Sequence, residues 1–178
     1  MIKKAFLSFM LAAIALCGCN ASGSKETNKA EKSDATTEAT QQATAEQAPD
    51  FTLNDINGRP LSLSSLKGKY VVLDFWGSWC VWCIRGIPSM KEYYAKYAGK
   101  FEILGIDCND TPEKWKAAVK EYELPWLHVY CDESSTVLAD YKIQGFPTKV
   151  VVGPDGHIIK TIVGEDPAFY DFLDELFK

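Results

Sequence analysis

The distribution of apolar and polar positions divides the chain into three blocks. Residues 5–16 are almost wholly apolar, and residues 20–48 carry no aromatic or branched aliphatic side chain. From Pro49 onward, short periodic apolar runs alternate with turn residues. In this third block, Phe51–Leu53 and Leu61–Leu63 flank Asn57-Gly58 and predict a short hairpin with an Asn-Gly turn. Tyr70–Phe75 is a near-continuous apolar run, as expected of a strand covered on both faces. Val81–Tyr97 predicts a helix with a kink at Pro88. Phe101–Ile106 predicts the next strand. Thr111-Pro112 supplies an N-cap and a first helical residue for a helix whose Trp115, Val119 and Tyr122 share a face. Leu127–Tyr130 reads as a strand and Ser134–Tyr141 as a short helix. Thr148–Val152 and Ile158–Val163 flank the turn Gly153-Pro154-Asp155-Gly156 as a second hairpin. Asp166-Pro167 opens a terminal helix with Phe169, Phe172, Leu173 and Leu176 apolar. This order predicts an α/β domain with a central mixed sheet and flanking helices. There is no internal repeat.

The first two blocks predict export. Lys3 and Lys4 precede the apolar stretch, which is too short for a membrane span of about 20 residues and has the length of a secretory signal. Leu16-Cys17-Gly18-Cys19 resembles a bacterial lipobox. That resemblance implies a lipoprotein-type signal over residues 1–18, with Cys19 lipidated as the first mature residue. The alternative is an ordinary cleaved signal with Cys19 incidental. Residues 19–48 then form a disordered tether, since such a composition cannot bury enough apolar surface to offset its ordering entropy. As a flexible coil the tether spans about 30 Å. Residues 49–178 form the folded domain.

Composition narrows the chemistry. The 178-residue chain has a formal net charge of −5 and no basic cluster after position 4, which argues against nucleic acid as a partner. Trp79-Cys80-Val81-Trp82-Cys83 follows the apolar Tyr70–Trp76 run, placing a dithiol at a strand-to-helix junction. The N–H groups and dipole of a helix N-terminus favour a thiolate at Cys80, the attacking species in disulfide exchange. The competing readings are a structural disulfide and half of a zinc site. For zinc, only Cys108, Cys131, His128 and His157 remain, without a second close pair, and no metal is expected. A loop of two residues makes a poor staple. Asp74 lies inside an apolar run, where burial would raise its pKa and suit it to accept a proton. Its bland alternative is a strand-end carboxylate paired with a lysine or water. Trp79 and Trp82 can form an apolar platform beside Cys80, or simply pack. Cys108 and Cys131 each follow a strand; if those strands are neighbours about 4.8 Å apart, the pair forms a structural disulfide or stays as two thiols. His128 and His157 are isolated and read as structural. No phosphate-binding glycine loop or Ser/His/Asp arrangement is present.

Leu73-Asp-Phe-Trp-Gly-Ser-Trp-Cys-Val-Trp-Cys83, with Ile143-Gln-Gly-Phe-Pro-Thr148, resembles the thioredoxin fold. Ala48–Leu53, Leu66–Lys69 and an extra helix-strand unit between Asp107 and Asp132 resemble the membrane-tethered TlpA/ResA-like branch, over roughly residues 48–178. The resemblance implies a thiol:disulfide oxidoreductase with Cys80 as nucleophile, Cys83 as resolving thiol and Asp74 moving the proton. It implies a cis bond at Phe146-Pro147, with Trp79, Trp82, Phe146 and Pro147 contacting substrate. Together with the lipobox, this gives the expectation of a lipid-anchored monomer facing the periplasm that reduces disulfides of other exported proteins and needs no bound cofactor; the resemblance implies a membrane electron donor. Cytochrome c maturation is a family-level possibility. The pattern departs at two places. That branch commonly has glutamate three residues after the second cysteine, where this chain has Gly86, and Val81-Trp82 replaces the common Gly-Pro. The Pro-x-x-x-Thr/Ser-x-x-Cys arrangement of peroxiredoxins is absent. A disulfide oxidase or isomerase, and a tethered binding module with an inert disulfide, remain the alternatives.

Overall fold

The computed structural model describes residues 46–178, so the signal segment, Cys19 and nearly all of the expected tether lie outside the described residues. Seven strands form one sheet: β1 Thr52–Asp55, β2 Pro60–Ser62, β3 Tyr70–Trp76, β4 Phe101–Cys108, β5 Leu127–Cys131, β6 Thr148–Val152 and β7 Ile158–Val163. Their order is β2-β1-β5-β4-β3-β6-β7. β3, β4 and β5 run parallel, and every other pairing is antiparallel. The sheet is therefore mixed, as the alternating pattern predicts. Parallel neighbours require crossovers. Helix α1, Val81–Lys96, supplies the one between β3 and β4, and α2, Pro112–Glu121, the one between β4 and β5. Two further helices are α3, Val137–Asp140, and α4, Pro167–Phe177.

Both faces of β3 are covered, which explains its unbroken apolar run. On one face Val72, Trp76, Ile103 and Val151 pack with Cys80, Cys83, Ile87 and Met90 of the α1 segment, Trp115 and Val119 of α2, and Phe169 and Leu173 of α4. On the other face Val71, Leu73, Phe75, Leu104 and Val150 pack with Phe51, Leu63, Leu66, Val137 and Tyr141. Side chains alternate between faces along a strand. Asp74 consequently lies on the Val72/Trp76 face, beneath α1.

The first hairpin forms with Asn57-Gly58 in its turn, as expected, within a longer loop over Ile56–Arg59. Asp55 Oδ1 accepts the N–H groups of Asn57 and Arg59, each at 2.8 Å, which stabilises the longer loop. Gly58 takes the left-handed conformation there, at φ 79°. Helix α3 is shorter than Ser134–Tyr141, because Ser134 donates through both its N–H and its hydroxyl to Asp132 Oδ1, at 2.9 and 2.6 Å, and joins a turn. Helix α1 continues through Pro88 as one element.

Candidate active site

The segment between β3 and α1 is held from one side. Ser78 donates its N–H and hydroxyl to the Asp110 carboxylate at 2.6 and 2.8 Å. Trp79 Nε1 donates to the Cys108 carbonyl at 2.9 Å. Gly77 is needed for this close approach, since a Cβ there would come within 2.9 Å of the same carbonyl oxygen. Cys80 is thereby placed as the N-cap of α1, with extended backbone angles of φ −88° and ψ 101°. Its Sγ accepts the Cys83 N–H at 3.1 Å. The two cysteines are joined as a disulfide, with Cα atoms 5.2 Å apart. When the pair is reduced, that N–H and the positive end of the helix favour the Cys80 thiolate.

The cysteine at the helix end does not lie open to solvent. Cys80 and Cys83 are only 6% and 7% exposed, whereas Trp79, Val81 and Trp82 are 49%, 61% and 59% exposed. Capping turns Cys80 Sγ back toward the helix, and the surface around it is built by its neighbours. Trp79 packs edge-on against Phe146, with ring centroids 5.3 Å apart, and Trp82 lies under the Arg85 guanidinium at 4.9 Å. Phe146 packs against the cluster that contains both cysteines. The Phe146-Pro147 peptide bond is cis, as the resemblance implies.

Asp74 is buried, and one carboxylate oxygen, Oδ1, has no hydrogen-bond partner among the described residues. Burial pushes its pKa up; Lys149 opposes that rise and Glu165 adds to it. Lys149 sits directly opposite Asp74 in the β3–β6 ladder. Its Nζ, however, pairs with Glu165 Oε2 at 2.8 Å, and Glu165 Oε1 accepts the Tyr170 hydroxyl at 2.6 Å. Sequence reasoning missed Lys149, Glu165 and Tyr170. A lysine inside the apolar run Thr148–Val152 carries the same signal that singled out Asp74.

Cys108 and Cys131 are register partners on parallel strands, as anticipated, but they are two buried thiols and the expected bridge is not formed. In-register side chains of parallel strands project side by side at about the 4.8 Å strand spacing, beyond the usual Cβ separation of a disulfide, about 3.8 Å. Their mutual hydrogen bond pushes the Cys108 thiol up and brings Cys131 down to about 7. His128 is buried among Trp76 and Trp126, and desolvation lowers its pKa to about 4, which fits a neutral packing residue.

Asp107, at the C-terminal end of β4, is wholly buried, and both of its oxygens lack partners among the described residues. Burial, reinforced by the Asp110 charge, pushes its pKa up to about 9. The folded protein thus holds a proton that the unfolded chain, with an ordinary carboxylate, releases near pH 4. This stabilisation is complete below about pH 4 and is lost as pH rises toward 9, at up to about 1.4 kcal/mol per pH unit. Asp107→Asn should remove that slope and raise the melting temperature at pH 7, as followed by thermal denaturation over pH 5–9. An unchanged slope would show that Asp107 ionises freely in the fold.

A dithiol capping the helix that follows the central strand, with a buried carboxylate beneath it and a cis-proline loop beside it, defines a thioredoxin-fold thiol-disulfide oxidoreductase. Comparison with known proteins agrees. Residues 44–161 match the AhpC/TSA family, and the chain belongs to it. A thiol-disulfide oxidoreductase ResA from Bacillus cereus is 37% identical over 120 residues, covering 67% of this chain and 69% of that protein. The thioredoxin domain of a thiol-disulfide oxidoreductase from Bacteroides vulgatus superimposes with a TM-score of 0.70 at 31% identity, over 78% of this chain and all of that one. A thiol:disulfide interchange protein from a Bacteroides species gives a TM-score of 0.67 at 33% identity, over 75% of this chain and 90% of its own.

Proposed function

We propose that this protein is exported, anchored through a lipidated Cys19, and reduces disulfide bonds in other extracytoplasmic proteins. The observation that carries the reading is the contrast at the α1 N-terminus. The disulfide itself is nearly covered, while Trp79, Val81 and Trp82 beside it are the large apolar side chains left open near the site. Such a surface fits an extended polypeptide carrying a disulfide better than it fits a small thiol. Cys80 attacks, Cys83 resolves, and Asp74 exchanges the proton. The loop at Phe146-Pro147 borders the bound chain. Each turnover leaves the Cys80–Cys83 pair oxidised, so the protein requires a dithiol donor, which for an anchored protein is a membrane electron carrier. The amino-terminal segment supports the anchor through its Lys3/Lys4 charges, apolar stretch and Leu16-Cys17-Gly18-Cys19. No helix among the described residues is long and apolar enough to cross a membrane.

The test is redox equilibration of the purified domain in thiol buffers, with the fraction of Cys80–Cys83 disulfide read by alkylation and mass. A reductase should poise more reducing than about −220 mV, the glutaredoxin and thioredoxin side of the scale. A value near −120 mV would instead make the protein a disulfide donor. Absence of exchange would leave only a binding module.

A further inference from the structure

The face of α1 at Gly86 is occupied by a carboxylate from elsewhere in the chain. A Cβ built on Gly86 would lie 2.5 Å from Glu165 Cδ and 2.8 Å from Glu165 Oε1. Glu165 lies in the turn between β7 and α4 and therefore takes the space of a side chain at position 86. Its placement is fixed. Oε2 pairs with Lys149 Nζ at 2.8 Å, Oε1 accepts from Tyr170 at 2.6 Å, and the same hydroxyl lies 3.4 Å from the Gly86 carbonyl oxygen. The Lys149 side chain is 2% exposed, and Asp74 faces it across the antiparallel ladder. Directly opposed residues of such a pair share a face, with Cβ atoms about 5 Å apart. Two carboxylates and one ammonium thus gather beneath the α1 turn that carries Cys83.

We propose that Glu165 is a positioning residue for the exchange reaction: by engaging Lys149 it leaves Asp74 as the unpaired carboxylate that takes the Cys83 proton. The proposal rests on the reading of Cys80–Cys83 as an exchanging dithiol. Charge arithmetic supports it. Lys149 and Glu165 neutralise each other, so ionised Asp74 adds an uncompensated buried charge and binds a proton readily. Asp74 Oδ1 lacks a partner, whereas both Glu165 oxygens are bonded. Were the Glu165 charge absent, the buried ammonium would turn to its ladder neighbour and hold Asp74 ionised, too weak a base for a thiol. The other titratable groups around Asp74 are Cys80 and Cys83 of the α1 segment, Asp107 and Cys108 of β4, His128 of β5 and Tyr170 of α4. Among the described residues, Lys149 is the cation whose charge acts on it.

The step balances. Cys80 thiolate attacks a substrate disulfide, forms the mixed disulfide and expels one substrate thiolate. The Cys83 thiol passes its proton to Asp74 and attacks Cys80 Sγ. The Cys80–Cys83 disulfide forms, the second substrate sulfur leaves as thiolate, and that thiolate recovers the proton from Asp74. Two electrons pass from the dithiol to the substrate.

The test uses the reduced full chain and an aromatic disulfide, 5,5′-dithiobis(2-nitrobenzoate). Attack by Cys80 releases one coloured thiolate and resolution by Cys83 releases a second, so stopped-flow absorbance gives the resolution rate against pH. Glu165→Gln should lower the midpoint of the second phase by about one pH unit and slow it about tenfold at pH 7.5. Gly86→Glu combined with Glu165→Ala returns a carboxylate to the same place from α1, because a glutamate Cδ lies about 2.5 Å from its own Cβ. This double variant should restore the wild-type midpoint. If Glu165→Gln does not fold, Gly86→Ala serves instead: its methyl group displaces the Glu165 carboxylate while every charge is kept, and the midpoint should fall. An unchanged midpoint in folded Glu165→Gln or Gly86→Ala overturns the proposal. So does a folded double variant that fails to recover. A wild-type protein that releases no second equivalent overturns the exchange chemistry itself, a distinguishable failure.

Discussion

Replacing Cys83 by serine should halt the reaction halfway, leaving Cys80 joined to substrate and lowering turnover by at least about 10³-fold. The expectation follows from the division of labour along one turn of helix. Cys80 keeps its N-cap position and its contact with the N–H of residue 83, a backbone group that the substitution leaves intact. Its thiolate is still favoured and the first attack proceeds. No second sulfur remains to displace the substrate, and a serine hydroxyl is too weakly acidic to replace it. A denatured disulfide protein, mixed with the variant and examined without reductant, should yield a covalent adduct mapping to Cys80. Cys80→Ser should yield none. The informative competitor is Cys131, whose thiol is brought down to about 7 and is acidic enough to attack. It is buried on the opposite face of the sheet, away from the exposed surface of Trp79, Val81 and Trp82. An adduct on Cys131, or turnover that survives the loss of Cys83, would defeat the assigned roles.

Most of the fold was legible because its strands carry two-sided burial. Continuous apolar runs such as Tyr70–Phe75 and Thr148–Val152 have few alternatives, and the crossovers between them follow from parallel pairing. The dithiol was legible because its function requires a fixed local spacing. Turn chemistry was harder to see. Asp55 captures two backbone N–H groups of its hairpin loop and Asp132 the N–H and hydroxyl of Ser134, which shortens the helix expected there. Buried pairing was hardest. Lys149 and Glu165 are 16 residues apart and meet only because β6 and β7 fold into a hairpin. From sequence, Gly86 reads as a missing carboxylate. In three dimensions the carboxylate is present, delivered from another element. The Cys108–Cys131 pair shows the complementary error: adjacency followed from topology, but in-register parallel strands present their side chains alongside one another rather than pointing together.

Asp74→Asn should move activity and stability in opposite directions. Burial raises the Asp74 pKa, so the folded state retains a proton over a pH range in which the unfolded chain has lost it. The sign follows: this group's contribution is full below the ordinary carboxylate range near 3.8 and declines as pH rises toward the raised folded value. Asparagine carries no such titration, so the variant should unfold at higher denaturant concentration than wild type at pH 7 and show a shallower loss of stability as pH rises. Catalysis should show the reverse. Without the Asp74 carboxylate, and with Glu165 held by Lys149 and Tyr170, the Cys83 proton must pass directly to water, and resolution of the mixed disulfide should slow by about 10²-fold near neutrality. The inflection that Asp74 imposes on the rate–pH profile should disappear, leaving a rate that climbs with hydroxide concentration. The first attack by Cys80 should change far less, because its thiolate is favoured by the helix terminus rather than by Asp74. Paired measurement of denaturation midpoints and two-phase release kinetics checks both halves on the same samples. A variant that gains stability but keeps the wild-type profile would remove Asp74 from proton transfer. One that loses stability would show that the carboxylate is held by interactions stronger than its partnerless Oδ1 indicates.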